Sequence, residues 1–172
     1  MILGMSLSTF TLIHVLLSLI GIGSGLVAMF GLLAGKRLNG WTALFLLTTV
    51  LTSVTGFLFP FHKVTPGIVI GVMSLIVLAI AIYARYTRQL SGSWRWIYVV
   101  TAQIALYFNV FVAIVQAFEK APPLKALAPT QTEPPFLVAQ SVALIFFIIV
   151  TAIAVKKFRI APSSPVLAGA TR

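Results

Sequence analysis

Long uncharged apolar stretches alternate with short polar ones along this chain, and the first, Phe10 to Ala34, sets the scale. Its length of about 25 residues exceeds the roughly 20 that a helix needs to cross a hydrocarbon core of about 30 Å. The later apolar runs are similar: 41–60 opens on Trp41, 66–84 on Pro66 and 96–118 on Trp96, and 136–155 is stopped by Lys156 and Lys157. Tryptophan suits the headgroup boundary, and proline at a helix start loses no hydrogen bond. The pattern predicts an all-α bundle of five transmembrane helices within residues 1–159. Between the fourth and fifth runs, EKAPPLKALAPTQTEPP (119–135) reads as a proline-rich loop, extended except for a short turn around 124–127. Residues 160–172 read as a disordered tail.

The basic residues orient this bundle. Lys36, Arg37, Arg85, Arg88, Arg95, Lys156, Lys157, Arg159 and Arg172 fall on one side, and only Lys63, Lys120 and Lys125 on the other. Cytoplasmic connections carry the excess of Lys and Arg, so the N-terminus is expected outside and the C-terminus in the cytoplasm.

Composition closes several other possibilities. With 60% hydrophobic and 8% charged residues, the chain cannot be a soluble domain. The net charge of +10 sits at the ends of apolar runs, where it meets anionic lipid headgroups rather than nucleic acid. There is no cysteine, which excludes disulfides and thiolate metal sites. The first run lacks a basic n-region and far exceeds about 15 residues, so it is expected to be retained rather than cleaved as a signal peptide. No internal repeat is visible, and an odd number of spans argues against paired-repeat transporters.

At helical spacing each run offers one small or polar stripe. His14, Ser18, Gly21, Gly25 and Ala28 share a face of the first, with Gly21 and Gly25 forming a GxxxG step. Thr48, Thr52 and Thr55 mark the second, Gly67, Gly71 and Ser74 the third, Ala105, Asn109, Ala113 and Gln116 the fourth, and Gln140, Ala143, Phe147 and Thr151 the fifth. Two readings follow. The small residues Ser18, Gly21, Gly25, Gly67 and Gly71, with the polar groups, can be the contacts that hold helices together. Alternatively, His14, Asn109, Gln116 and Gln140 line a ligand cavity in the outer leaflet, walled by aromatic residues and joined by His62.

Such a cavity would admit a quinone, held by His14 and an amide, or a haem bracketed by His14 and His62. A metal held by histidines and Glu119 or Glu133 matches ligand types but has no spacing signature, so no metal site is assigned. No hydrolase triad, metalloprotease motif or phosphate loop occurs, and no Asp is present, so catalysis is not expected. The leading expectation is a non-catalytic accessory or scaffold subunit of a membrane complex, with lipids and other membrane subunits as partners. The alternative is a quinone- or haem-binding redox protein with an outer-leaflet site around His14.

The segments GKRLNGWTALFL (35–46), TGFLFPF (55–61) and LKALAPTQTEPPFLVAQ (124–140) resemble a group of small, uncharacterised multi-pass membrane proteins of proteobacteria. The resemblance implies a bacterial inner-membrane location and carries no residue role.

Overall fold

The computed structural model describes residues 2, 4–60 and 66–159. These residues form α1 (Leu7–Leu33), α2 (Asn39–Gly56), α3 (Pro66–Ile82), a π-helical turn (Tyr83–Thr87), α4 (Trp94–Lys120), α5 (Pro122–Leu127) and α6 (Pro134–Lys157), with no strand among them. Four of the helical stretches are long and apolar enough to cross a membrane: Leu7–Leu33, Gly67–Thr87, Trp94–Lys120 and Pro134–Lys157.

Helix α2 has 18 residues, and six hydroxyl side chains dilute its apolar character. They are not scattered. Thr42, Thr48, Thr49 and Ser53 are buried, whereas Leu44, Leu47, Leu51 and Val54 point outward. The helix is apolar on its outside and polar toward its neighbours.

Helix α4 occupies the centre, touching α1, α3, α5 and α6. Outward-facing rows of Leu, Ile and Val cover α1, α3 and α6, but the only large apolar side chain that α4 exposes is Trp96. Its Tyr98, Val99, Ala102, Ala105 and Leu106 form the middle of a core completed by Met29 and Leu32 of α1, Phe45 of α2, Leu78 of α3 and Phe147 and Val150 of α6. At Gly25 of α1 a Cβ would lie 2.5 Å from Leu106 Cδ1 and 2.8 Å from Phe45 Cδ2, so this close approach requires glycine.

Helix ends are settled by local chemistry. Ser6 caps α1 by accepting from the Thr9 N–H. At its other end Gly35 takes φ +69°, while the N–H groups of Gly35 and Lys36 donate to the carbonyls of Leu32 and Gly31, a Schellman closure. After α3 the π-helical turn leads to Leu90, buried at φ +61°, whose N–H donates to the Ala84 carbonyl. This left-handed leucine is strained by about 1–2 kcal/mol, offset by burying its side chain.

In the segment after α4 the short turn expected around 124–127 is a helix that starts two residues earlier. Residues 122–127 are helical, with Pro at the first turn, where no donor is lost. Phe118, Ala128 and Phe136 close a small second core there, with Leu124 packed on it.

The charged groups segregate. Lys36, Arg37, Arg85, Arg88, Arg95, Lys156, Lys157 and Arg159 lie at the end where α1, α3 and α6 finish and α2 and α4 begin. Contacts between Arg85 and Asn39, and between Arg95 and Phe158, hold that end together. Glu119, Lys120, Lys125 and Glu133 lie at the opposite end. His62, Lys63 and the predicted tail 160–172 lie outside the described residues.

Candidate functional site

His14 sits two turns into α1, half-buried against the end of α2. Its Nδ1 is 2.8 Å from Thr55 Oγ1, and the Phe59 ring stands edge-on at 5.2 Å, itself packed on Phe10 at 5.0 Å. Gly56 lies beside the imidazole: a Cβ there would lie 3.6 Å from His14 Cε1, an ordinary contact. The Thr55 hydroxyl donates to the Leu51 carbonyl at 2.7 Å, the usual back-bond of a helical threonine. With that single proton committed, His14 Nδ1–H donates to Thr55 Oγ1, which places the lone pair of the neutral ring on Nε2. Ser18, one turn on, donates to the His14 carbonyl.

Asn109 of α4 donates through Nδ2 to Thr49 Oγ1 at 3.0 Å. It lies beside Gly21, where a Cβ would meet Thr48 Oγ1, Thr49 Oγ1 and Asn109 Nδ2 within 3.4 Å. Gly21 is two turns of α1 beyond His14, about 10 Å deeper. Gln140 of α6 donates to the Phe111 carbonyl of α4 at 3.2 Å, while its Oε1 is buried without a partner. Gln116 turns to its own helix, donating to Glu119 Oε2 at 3.1 Å.

The four described candidates therefore occupy four separate contacts. These contacts do not join the four to one another; among the described residues one surface depression is lined by Leu7, Ser8, Thr11, Leu12 and Val15, and an internal void by residues around Gln103. The reason is angular. A shared stripe says that side chains face the bundle, but α4 stands between three spans and divides its stripe among them. Among the described residues no three of His, Cys, Asp and Glu approach closely enough to hold a metal ion. Of the small residues, Gly21 and Gly25 sit at close helix contacts and Gly71 lies against the Phe57 ring, whereas Gly67 is exposed.

Three polar positions stand outside the expected stripes. Thr49, fully buried, is the partner of Asn109, and the doublet Thr48-Thr49 signals a polar face wider than one stripe. Gln103 is 2% exposed, with both amide atoms unpartnered beside a void of about 10 Å³. It lies about 120° around α4 from Asn109, which separates it from the small-residue stripe. Arg85, 8% exposed, donates to Asn39 Oδ1 at 2.7 Å and stands 5.2 Å from the Tyr98 ring centroid.

No protein-family model, curated protein or solved structure matches the chain.

Proposed function

We propose that this chain is a five-span membrane protein with a non-catalytic scaffold or accessory role, its N-terminus outside and its C-terminus in the cytoplasm. One observation carries the scaffold reading: His14, Asn109 and Gln140 each spend a hydrogen bond on a different helix, joining α1 to α2, α4 to α2 and α6 to α4. Polar groups used in this way hold a bundle together rather than await a ligand. The fifth span is α2, supported by its outward Leu44, Leu47, Leu51 and Val54 and its buried threonines. The orientation is supported by the basic end, which holds no carboxylate side chain. A bacterial inner membrane follows from the sequence resemblance.

A ligand at His14 is the second reading, favoured by the Nε2 lone pair. Quinone carbonyls are acceptors and would face that lone pair unfavourably, so an iron porphyrin suits this tautomer better. The protein purified in mild detergent separates the readings through its visible spectrum, a quinone extraction and the proteins that accompany it. The scaffold reading expects a colourless sample, no stoichiometric quinone and a co-purifying membrane subunit. A Soret band that disappears in a folded His14→Leu variant would overturn it.

A further inference from the structure

The basic end contains a buried positive charge without an anionic partner among the described residues. Arg85 lies in the π-helical turn Tyr83–Thr87 and is 8% exposed as a residue, while Arg88, one turn on, stays outside against Trp94. The neighbours of Arg85 are the Asn39 side-chain Oδ1 at 2.7 Å and the rings of Tyr98 and Tyr86 at 5.2 and 5.9 Å. These ease the burial, but none carries a negative charge. The chain's two acidic side chains lie at the opposite end, Glu119 with Gln116 and Glu133 with Thr130. A buried guanidinium without a counter-charge is costly, and its fork of donors matches a phosphate.

Asn39 begins α2, and the first turn of that helix has no side-chain cap. The N–H groups of Asn39 and Thr42 donate to the carbonyls of Arg37 and Leu38, leaving those of Gly40 and Trp41 without partners among the described residues. Free donors at a helix start add to the pull on an anion. From the same turn Trp41, Leu44, Leu47 and Leu51 form an exposed apolar row along α2.

We propose that Arg85 and the first turn of α2 bind the phosphate of an anionic phospholipid, with its acyl chain along Trp41, Leu44, Leu47 and Leu51. The row below the donors favours a lipid over free phosphate as the source. The inference rests on the proposed fifth span, since the acyl chain runs along α2, but not on the scaffold role.

The test uses full-length protein stripped of lipid in a neutral maltoside detergent, titrated with phosphatidylglycerol, phosphatidylcholine or inorganic phosphate and read by native mass spectrometry and thermal unfolding. One tight phosphatidylglycerol per chain is expected, preferred over phosphatidylcholine, with affinity about tenfold lower in Arg85→Gln and unchanged in Lys125→Gln at the opposite end. Asn39→Asp places a carboxylate beside the guanidinium in the same volume. It should raise the unfolding temperature without lipid and abolish the further rise on adding phosphatidylglycerol, which keeps the test open if Arg85→Gln does not fold. Equal binding of the two lipids, or undiminished phosphatidylglycerol binding by Asn39→Asp or a folded Arg85→Gln, overturns the site. If inorganic phosphate alone reproduces the whole effect and lipid adds nothing, the lipid source is overturned.

Discussion

Arg95, in the first turn of α4, donates to the Val155 carbonyl at 3.1 Å and to the Phe158 carbonyl, both at the far end of α6. A helix leaves its last carbonyls without partners, and here a side chain from the central helix supplies donors for them. Replacing Arg95 by Met should lower stability by about 1–3 kcal/mol, because charged hydrogen bonds are lost and the carbonyls lose their partner. Arg88→Met, at an exposed cation over Trp94, should change it by less than about 1 kcal/mol. Thermal unfolding in detergent compares the two; equal losses would mean that the contact with α6 contributes nothing particular.

Two amides of α4 should respond with opposite sign. Asn109→Leu removes an interhelical hydrogen bond and should cost about 0.6 kcal/mol, the usual size for polar pairs in membrane bundles. Gln103→Leu removes two buried polar atoms that lack partners and should stabilise by about 1–3 kcal/mol. Unfolding curves of the two variants side by side are sufficient, and a destabilised Gln103→Leu contradicts the prediction.

Gly25 and Gly23 offer a steric comparison within one helix. A Cβ at Gly25 would run into Leu106 and Phe45, while at Gly23 it would meet nothing within 4 Å. Gly25→Val should therefore cost about 1–3 kcal/mol through overpacking. Gly23→Ala should be neutral or stabilising by up to about 1 kcal/mol. The order of the two unfolding temperatures checks this.

The turn before α6 should depend on pH. Slight desolvation would raise the Glu133 pKa, but hydrogen bonds from the Thr130 N–H and hydroxyl and from the Thr132 N–H outweigh it and hold the carboxyl below its ordinary 4.5. A depressed carboxylate stabilises fully above the unfolded value, and that contribution is lost as pH falls through the lower folded one. Amide hydrogen exchange at Thr130 and Thr132 should thus lose protection only below about pH 4.5, and Glu133→Gln should remove the transition. Unchanged protection in the variant would show that the carboxylate does not order the turn.

Much of the helical layout was legible because a bilayer imposes one length and one polarity on every span. The runs beginning at Trp96 and Phe136 fall within α4 and α6, that from Phe10 begins three residues after α1 starts and ends on its C-cap, and that from Pro66 begins with α3 and ends in the π-helical turn; the Ser6 cap and the prolines at 134–135 start helices ahead of their apolar stretches. In the proline-rich segment a short turn is legible around 124–127 but not its start: Pro122 reads as a breaker in isolation, yet at a helix start it opens α5. Pairings were less legible. Periodicity shows that Asn109 faces inward but not that Thr49 awaits it, because the partner depends on how helices are arranged around α4. In the sequence Arg85 marks only the end of a span. It is buried within a π-helical turn, a change of register that the hydrophobic pattern does not announce.

The central position of α4 has a consequence for how the protein is made. Its most apolar stretch has a mean hydropathy of 1.9, against 2.6 for those of α3 and α6, and it holds Gln103 and Asn109 toward its neighbours. Alone among lipid tails, those amides would have no neighbour to face. During synthesis the chain delivers α1, α2 and α3 first, so two of the spans that α4 touches and the Thr49 acceptor for Asn109 precede the least lipid-tolerant long helix, while α6 follows it. Order along the chain thereby acts as a built-in chaperone for the centre of the bundle, and moving α4 to the N-terminus by circular permutation would remove that help while keeping every native contact available.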